Sequence, residues 1–425
     1  MINKYKLLIL PLVLLLAGRA AAQQQLSLDW DGARKLAAAN NPSVKAARAS
    51  MEQAGYNYLA VAGVNYYISD ISLSHGVSRG GKDNPLTAAS NSWSAGISAS
   101  ENLLNLAKFS TVKTSRLSKE KAEADYRSAS ALARQTLAAA FADLLFAQKR
   151  IEVQKKILGI RQENARLIRL KYESGMESKG NALYTEALAE NSVVSVKKAE
   201  RQLATAQRSL LEAIGLEGNA QIKASGDISV PPFELGEERI LGALETSPGI
   251  VSAKKTLESA KEKTSAARFD AYPTLSASQS YKWTGASEFP QNKAWSLALS
   301  LNIPIFSGGP TAYFNSLAAA KSSLSAAEEK FKAAKISLAA SLRSGYDDYQ
   351  SAAETAQAGV SLLKANEERF KEAQIKYMAG KISFIDLENV EQNFVDSDLN
   401  QLDYARTAHS RKLALEQLLG VGVEE

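Results

Sequence analysis

Two hydrophobic periods alternate along this chain, and the alternation runs through twice. A short helical pattern through Ala33, Leu36 and Ala37 opens at Ser27-Leu28 and stops at Asn40-Asn41-Pro42. Pro42 suits the first turn of a new helix running to about residue 62. The period then falls from 3.6 to 2 over residues 66–77, with Ile71, Leu73 and Val77 opposing Asp70, Ser72, Ser74 and Gly76. From Trp93 the alternation sharpens: Trp93, Ala95, Ile97 and Ala99 oppose Ser94, Gly96, Ser98 and Ser100. Helical spacing returns near Leu106 and continues to Glu173 without a proline, enough for a helix of about 100 Å. A turn over residues 175–180 and a second helix to Ile214 follow.

The second pass begins beyond a link over residues 226–237 that includes Pro231-Pro232. Apolar spacing over 240–245 meets Thr246-Ser247-Pro248, then a helix to about residue 270. Leu275, Ala277, Tyr281 and Trp283 oppose Ser276, Ser278, Ser280 and Lys282; then Trp295, Leu297, Leu299, Leu301 and Ile303 oppose Ser296, Ala298, Ser300 and Asn302. Shifted by 205 positions, residues 109–215 fall without a gap on 314–420. Phe109 meets Phe314, Leu137 meets Leu342, and Lys171-Tyr172 with Gly175 meets Lys376-Tyr377 with Gly380. The chain therefore reads as a tandem duplication, residues 23–225 and 226–425, whose halves form one structural unit. Alanine runs at 138–140 and 318–320 let the long helices approach closely, and coiled-coil-like packing is expected without a strict heptad.

Four strands of about 9–11 residues with one apolar and one small-polar face have the length and dyad pattern of a transmembrane β-barrel. Trp93, Trp283 and Trp295 lie at strand ends beside the polar loops near 78–92 and 284–294, and Tyr66, Tyr67 and Tyr272 lie at the opposite ends. Aromatic residues at both ends are what two membrane interfaces select. Four strands close no barrel and open edges are not tolerated in lipid, so several chains must share one. Two copies give the eight strands of the smallest barrels and three copies give twelve, and the Ser/Gly/Ala inner face leaves room for a pore.

Composition narrows the chemistry. The 51 Lys and Arg exceed the 45 Asp and Glu, but three of the surplus positives, Lys4, Lys6 and Arg19, sit in the first 22 residues and the rest are spread along helices, which argues against a nucleic-acid partner. Lys4 and Lys6 precede an apolar run over 7–17 and Ala20-Ala21-Ala22, the order of a secretory signal peptide over residues 1–22. Cysteine is absent, and His75 and His409 are far apart. Gly76 to Lys82 fits GxxxxGK, but Asp83 stands where a phosphate loop needs Ser or Thr, and strands flank it. No nucleophile, metal or cofactor motif appears, so the chain reads as neither an enzyme nor a cofactor carrier.

Four features together resemble the TolC family of outer-membrane efflux proteins over essentially the whole mature chain. They are the opening from Leu26-Ser27-Leu28 to Asn40-Asn41-Pro42, the duplicated strand pair, Ile303-Pro304-Ile305-Phe306-Ser307-Gly308-Gly309, and the two Tyr-x-x-Gly turns at Tyr172/Gly175 and Tyr377/Gly380. The resemblance implies a mainly α protein with a transmembrane β-barrel. Three chains would share a twelve-stranded barrel in the outer membrane of a Gram-negative bacterium, in contact with its lipid, above an α-helical barrel reaching into the periplasm. It also implies a passive exit duct of a tripartite efflux or type I secretion system. Its partners would be a periplasmic adaptor (membrane fusion protein) and an inner-membrane transporter, with gating at the helix tips.

By the same resemblance, Gly175, Met176, Glu177, Ser178 and Lys179 with Gly380, Lys381, Ile382 and Ser383 form the tips on which an adaptor docks. Asp386, Tyr377, Asn389 and Asn181 take the gate and constriction positions. A threefold ring of Asp386 carboxylates would favour cations; the competing reading makes Asp386 a solvated acid at a helix start. Asn389 and Asn181 stand where family members carry acids, Lys179 where an apolar residue is usual, and Ile382 where some carry a gating arginine. The alternative from another class is a periplasmic coiled-coil tether without a pore, against which the strand alternation and aromatic ends argue.

Overall fold

The computed structural model describes residues 26–64, 68–78, 90–218, 221–226, 233–285, 291–306 and 308–424. The signal peptide, Tyr66, Tyr67, Pro231-Pro232, Ser307 and most of the GxxxxGK stretch lie outside them. The first half runs α1 (Trp30–Asn40), α2 (Pro42–Val64), β2 (Ile68–Ser78), β3 (Ser90–Leu104), α3 (Leu106–Glu173) and α4 (Lys179–Ile214). The second repeats that order as α5 (Glu237–Thr246), α6 (Pro248–Phe269), β5 (Thr274–Gly285), β6 (Asn292–Asn302), α7 (Pro310–Met378) and α8 (Phe384–Leu419). Among the described residues no helix is long and apolar enough to cross a membrane.

Two three-residue strands depart from the helical period. Ser27 and Leu28 belong to β1 (Leu26–Leu28), which pairs in parallel with β4 (Ile222–Ala224). The helix begins only at Trp30, where the Asp29 carboxylate accepts the Gly32 N–H at 3.0 Å. This small sheet and α1 bury Leu28, Ala33, Ala37 and Ile222 against Leu137, Phe141 and Leu144 of α3, forming the largest apolar cluster at the waist of the molecule.

The other sheet has the order β2-β3-β5-β6, all antiparallel. Its register aligns like with like. Ile71 faces Ile97, Ile97 faces Tyr281 and Tyr281 faces Trp295 on one side of the sheet. On the other side, Ser74 bonds Ser94 at 2.6 Å and Ser280 bonds Ser296 at 2.8 Å. Leu297 and Leu299 are 70% and 68% exposed, so the described residues do not cover this apolar face. Trp93 lies against His75 with the rings tilted by 32° and Trp283 packs edge-on against Tyr281, near one end of the sheet; Tyr272 lies beside Phe269 at the other. The halves leave the sheet differently. After a register shift between Asn102 and Leu104, the Asn105 side chain caps α3; Gly308 and Gly309, both at positive φ, turn the chain into Pro310 at the head of α7.

The long helices α3 and α7 have 68 and 69 residues, about 100 Å each. Packed along α3 lie α2 and α4, which meet end to end, and α7 is flanked likewise by α6 and α8. The joint between α4 and α2 is built from two residues. The Asn41 amide donates to the Ala213 carbonyl at 2.8 Å while its oxygen accepts the Ser43 and Val44 N–H groups, so one side chain caps both helix ends. Gly215, at φ 85°, ends α4 so close to this corner that a Cβ there would lie 2.7 Å from the Asn40 oxygen. Gly420 holds the same place in the second half, where a Cβ would strike the Pro248 ring.

Gly215 should therefore be less replaceable than Gly175, which has a similar φ of 76° with open space around it. Gly175→Ala carries only the left-handed backbone strain of about 1–2 kcal/mol. Gly215→Ala adds a collision with backbone and lowers the thermal unfolding midpoint further, as followed by circular dichroism of the detergent-solubilised protein.

Candidate functional site

The tips that end the two hairpins are built by the same local rules. At the end of α3, Gly175 takes φ 76° and the Met176 N–H returns to the Lys171 carbonyl at 2.8 Å. At the end of α7, Gly380 takes φ 69° and the Lys381 N–H returns to Lys376 at 2.8 Å. Both close the terminal carbonyls with a left-handed glycine. Ser178 and Ser383 then cap the next helices by accepting the N–H of Asn181 and Asp386.

The tips diverge at that third helical position. The Asp386 carboxylate reaches back to the Ser383 N–H at 3.1 Å and hydroxyl at 2.7 Å, closing a capping box. Those two bonds hold the exposed carboxyl below its ordinary 3.8. Asn181 instead turns its amide toward Glu177, donating at 2.8 Å.

Glu177 is the junction between the hairpins. One carboxylate oxygen accepts the Ser178 N–H at 3.0 Å and the Asn181 amide; the other accepts the Tyr377 hydroxyl at 2.6 Å. Tyr377 is only 3% exposed, and Lys171 donates to its carbonyl at 2.9 Å while lying 3.9 Å from its ring centre. Burial pushes the Glu177 pKa up, but the bonds from Tyr377, Ser178 and Asn181 and the charge of Lys171 outweigh it, leaving the group below its ordinary 4.5. Burial first, then the bond and charge of Glu177, drive the Tyr377 phenol far above its ordinary 10.

Beneath this link, Tyr377 packs with Ile168, Ala182, Phe370, Phe384 and Leu387, and Ile382 leans on the same cluster. Met176, Lys179, Lys381, Ser383, Asp386 and Asn389 are exposed. The seam continues upward between α3 and α8 in polar rungs. Tyr184 on α4 bonds Glu388 at 2.5 Å; Asn164 bonds Glu391, whose other oxygen lies 3.6 Å from Arg161. Higher still come Lys156–Asp398 at 3.0 Å, Arg150–Asp403 at 2.9 Å and Arg406–Asp143 at 2.7 Å. Burial raises the Glu391 pKa against the opposing pull of Asn164 and Arg161.

The structure thus brings Tyr377 and Asn181 together through Glu177, leaves Asn389 exposed, and engages Asp386 locally. Sequence reasoning placed Glu177 among the docking residues and missed it as the bridge. Its local signal was an acid four residues before Asn181, but its partner lies 200 positions away. Among the described residues, no three His, Asp or Glu side chains gather as a metal site.

Comparison with known proteins agrees with this architecture. The profile of the family described as outer membrane efflux protein matches residues 33–216 and 240–421. The cobalt-zinc-cadmium resistance protein CzcC of Cupriavidus metallidurans is 20% identical over 281 residues, 66% of this chain and 66% of CzcC. The solved outer-membrane channel OprN superposes with a TM-score of 0.81 at 19% identity, covering 92% of this chain and 90% of OprN. The open state of the MtrE outer membrane channel of Neisseria gonorrhoeae gives 0.81 at 18% identity, over 96% and 94% of the two chains.

The link at Glu177 has a defined pH window. A lowered carboxylate contributes stability above its unfolded pKa and loses it as pH falls through the folded value; a raised phenol contributes below its own unfolded pKa and loses it as pH rises through the folded one. The tips should therefore hold at neutral pH and loosen below the ordinary 4.5 of Glu177. Tyr377→Phe removes one donor from a partly buried carboxylate, a loss of about 1–3 kcal/mol. Backbone amide exchange at residues 171–182 and 374–386 should rise several-fold in the variant at pH 7, with the waist unchanged.

Proposed function

The chain belongs to the outer membrane efflux protein family, and from that membership we propose that it is the passive exit duct of a tripartite efflux or type I secretion system. Members of the family are channels of the Gram-negative outer membrane, which is where this protein resides. The observation that carries the reading is the four-stranded sheet. It is apolar on one face and serine-lined on the other, has a single neighbour for each outer strand, and is continuous with helices of about 100 Å. Lipid against the apolar face and pairing of β6 with β2 of another copy would satisfy both demands. Three copies make the twelve-stranded barrel, and their hairpins make the periplasmic tunnel.

In this reading residues 1–22 direct export, and 23–225 and 226–425 are the two repeats of one unit. The tip turns receive the periplasmic adaptor, the inner-membrane transporter supplies the energy, and Glu177–Tyr377 holds hairpin α7/α8 against α3/α4 until the adaptor docks. Asp386, charged and exposed, would form a threefold acidic ring with Asn389 just above it. The name of CzcC makes divalent metal cations one cargo to test.

Native mass of the protein extracted from outer membranes in mild detergent should correspond to three chains. A monomer recovered from the soluble periplasm would overturn the duct and leave the tether. In planar bilayers, Glu177→Gln combined with Tyr377→Phe should raise single-channel conductance several-fold over wild type. Asp386→Asn should weaken block by divalent cations from the periplasmic side while leaving the trimer intact.

A further inference from the structure

We propose that a cleft on the waist of the molecule, between α3 and α8 and beneath α1, binds a small amphiphilic anion of the aromatic carboxylate class. The cleft has a volume of about 290 Å³, near the lower end of the ~300–1,000 Å³ typical of small-molecule sites. Its walls are Trp30 and Phe141, which meet edge to face at 5.8 Å, with Leu145 and Phe146 beyond them. Such a slot accepts a flat apolar body.

The polar groups at its mouth are under-used. Arg134 reaches Glu416 and the Gly422 carbonyl only at 3.5 Å each, the outer limit of a hydrogen bond. Its Nε is buried and has no partner among the described residues, while its guanidinium lies 5.8 Å from the Trp30 ring centre. Its terminal nitrogens, held only at that outer limit, can turn to a ligand carboxylate at the mouth. His409 lines the same cleft, and its ring makes no hydrogen bond among the described residues. Burial, then the charge of Lys412, lowers its pKa, so at neutral pH the ring offers one donor and one acceptor. Lys412 sits 3.8 Å from Glu416, an ion pair without hydrogen-bond contact.

The charge sum selects the ligand. Among the described lining residues, Arg134 and Lys412 face the one carboxylate of Glu416 around a neutral His409, leaving a single positive charge in surplus. A cation is therefore disfavoured, and a neutral hydrocarbon would leave Arg134 and His409 unpaired. A monoanion with an aromatic body satisfies both walls and mouth. Between Arg134 and the Lys171 end of α3 lie some 37 residues, a separation of about 55 Å, so the cleft is distinct from the tips. The inference stands independently of the duct and its gate.

The test uses the full-length protein in lipid nanodiscs, which avoids competition from detergent, and 2-naphthoate titrated calorimetrically against empty nanodiscs. One saturable submillimolar site per chain is expected, with neutral 2-naphthol binding at least tenfold more weakly. Arg134→Met and His409→Leu should each weaken binding at least tenfold with native mass unchanged. If Arg134→Met perturbs assembly, His409→Leu decides alone. No saturable heat above the blank, equal binding of 2-naphthol, or binding indifferent to the substitution in a correctly assembled variant would overturn the site.

Discussion

Backbone hydrogen bonds in the sheet set the terms for the rest of this molecule. Each ladder rung inside β2-β3-β5-β6 is met within the chain, but among the described residues the outer strands each have a single partner. In water that leaves two edges and a bare apolar face; in lipid the unmet edge groups would cost several kcal/mol each. The sequence resolves the face by alternation: serines opposite serines on one side, isoleucine and aromatic residues opposite one another on the other. It leaves the edges to be met from outside the chain. The duplication belongs to the same logic, since each repeat brings one hairpin to the sheet and one long helical pair beneath it.

Length imposes the second constraint. A pair of short helices can flank a helix of 68 residues only if they stack end to end without a gap. Helix ends carry unmet N–H and carbonyl groups, and at this joint the Asn41 side chain serves one of each. A glycine at positive φ lets the two backbones come within contact distance. The waist, where α1 and the small sheet add their apolar residues, gives the stacked pair its firmest seat on α3.

Most of this architecture was legible in the sequence because it rests on period. The switch from 3.6 to 2 located all four membrane strands, and the 205-residue register located both tips. What escaped has no period to detect. β1 and β4 are three residues long, too short for alternation to differ from a helical turn, so Ser27-Leu28 read as helix. At the tips, capping chemistry made the turns visible, whereas the Glu177–Tyr377 contact joins residues 200 positions apart and follows only from how the hairpins lie. Asp386 shows a different limit: its spacing from Ser383 is that of a capping box, and one carboxylate serves a local cap while still carrying its charge outward.

The α3–α8 seam has a consequence for separation. Had the hairpins been glued by leucines alone, parting them would strip apolar surface into water, and the separated faces would adhere to whatever came next. Here Arg150 with Asp403, Lys156 with Asp398, and Arg406 with Asp143 alternate with apolar layers in which Phe146 meets Leu402 and Ile157 meets Val395. Charges that lose one another regain hydration, so the ion pairs reduce the apolar surface this seam would bare on parting and mark its register by the order of their signs.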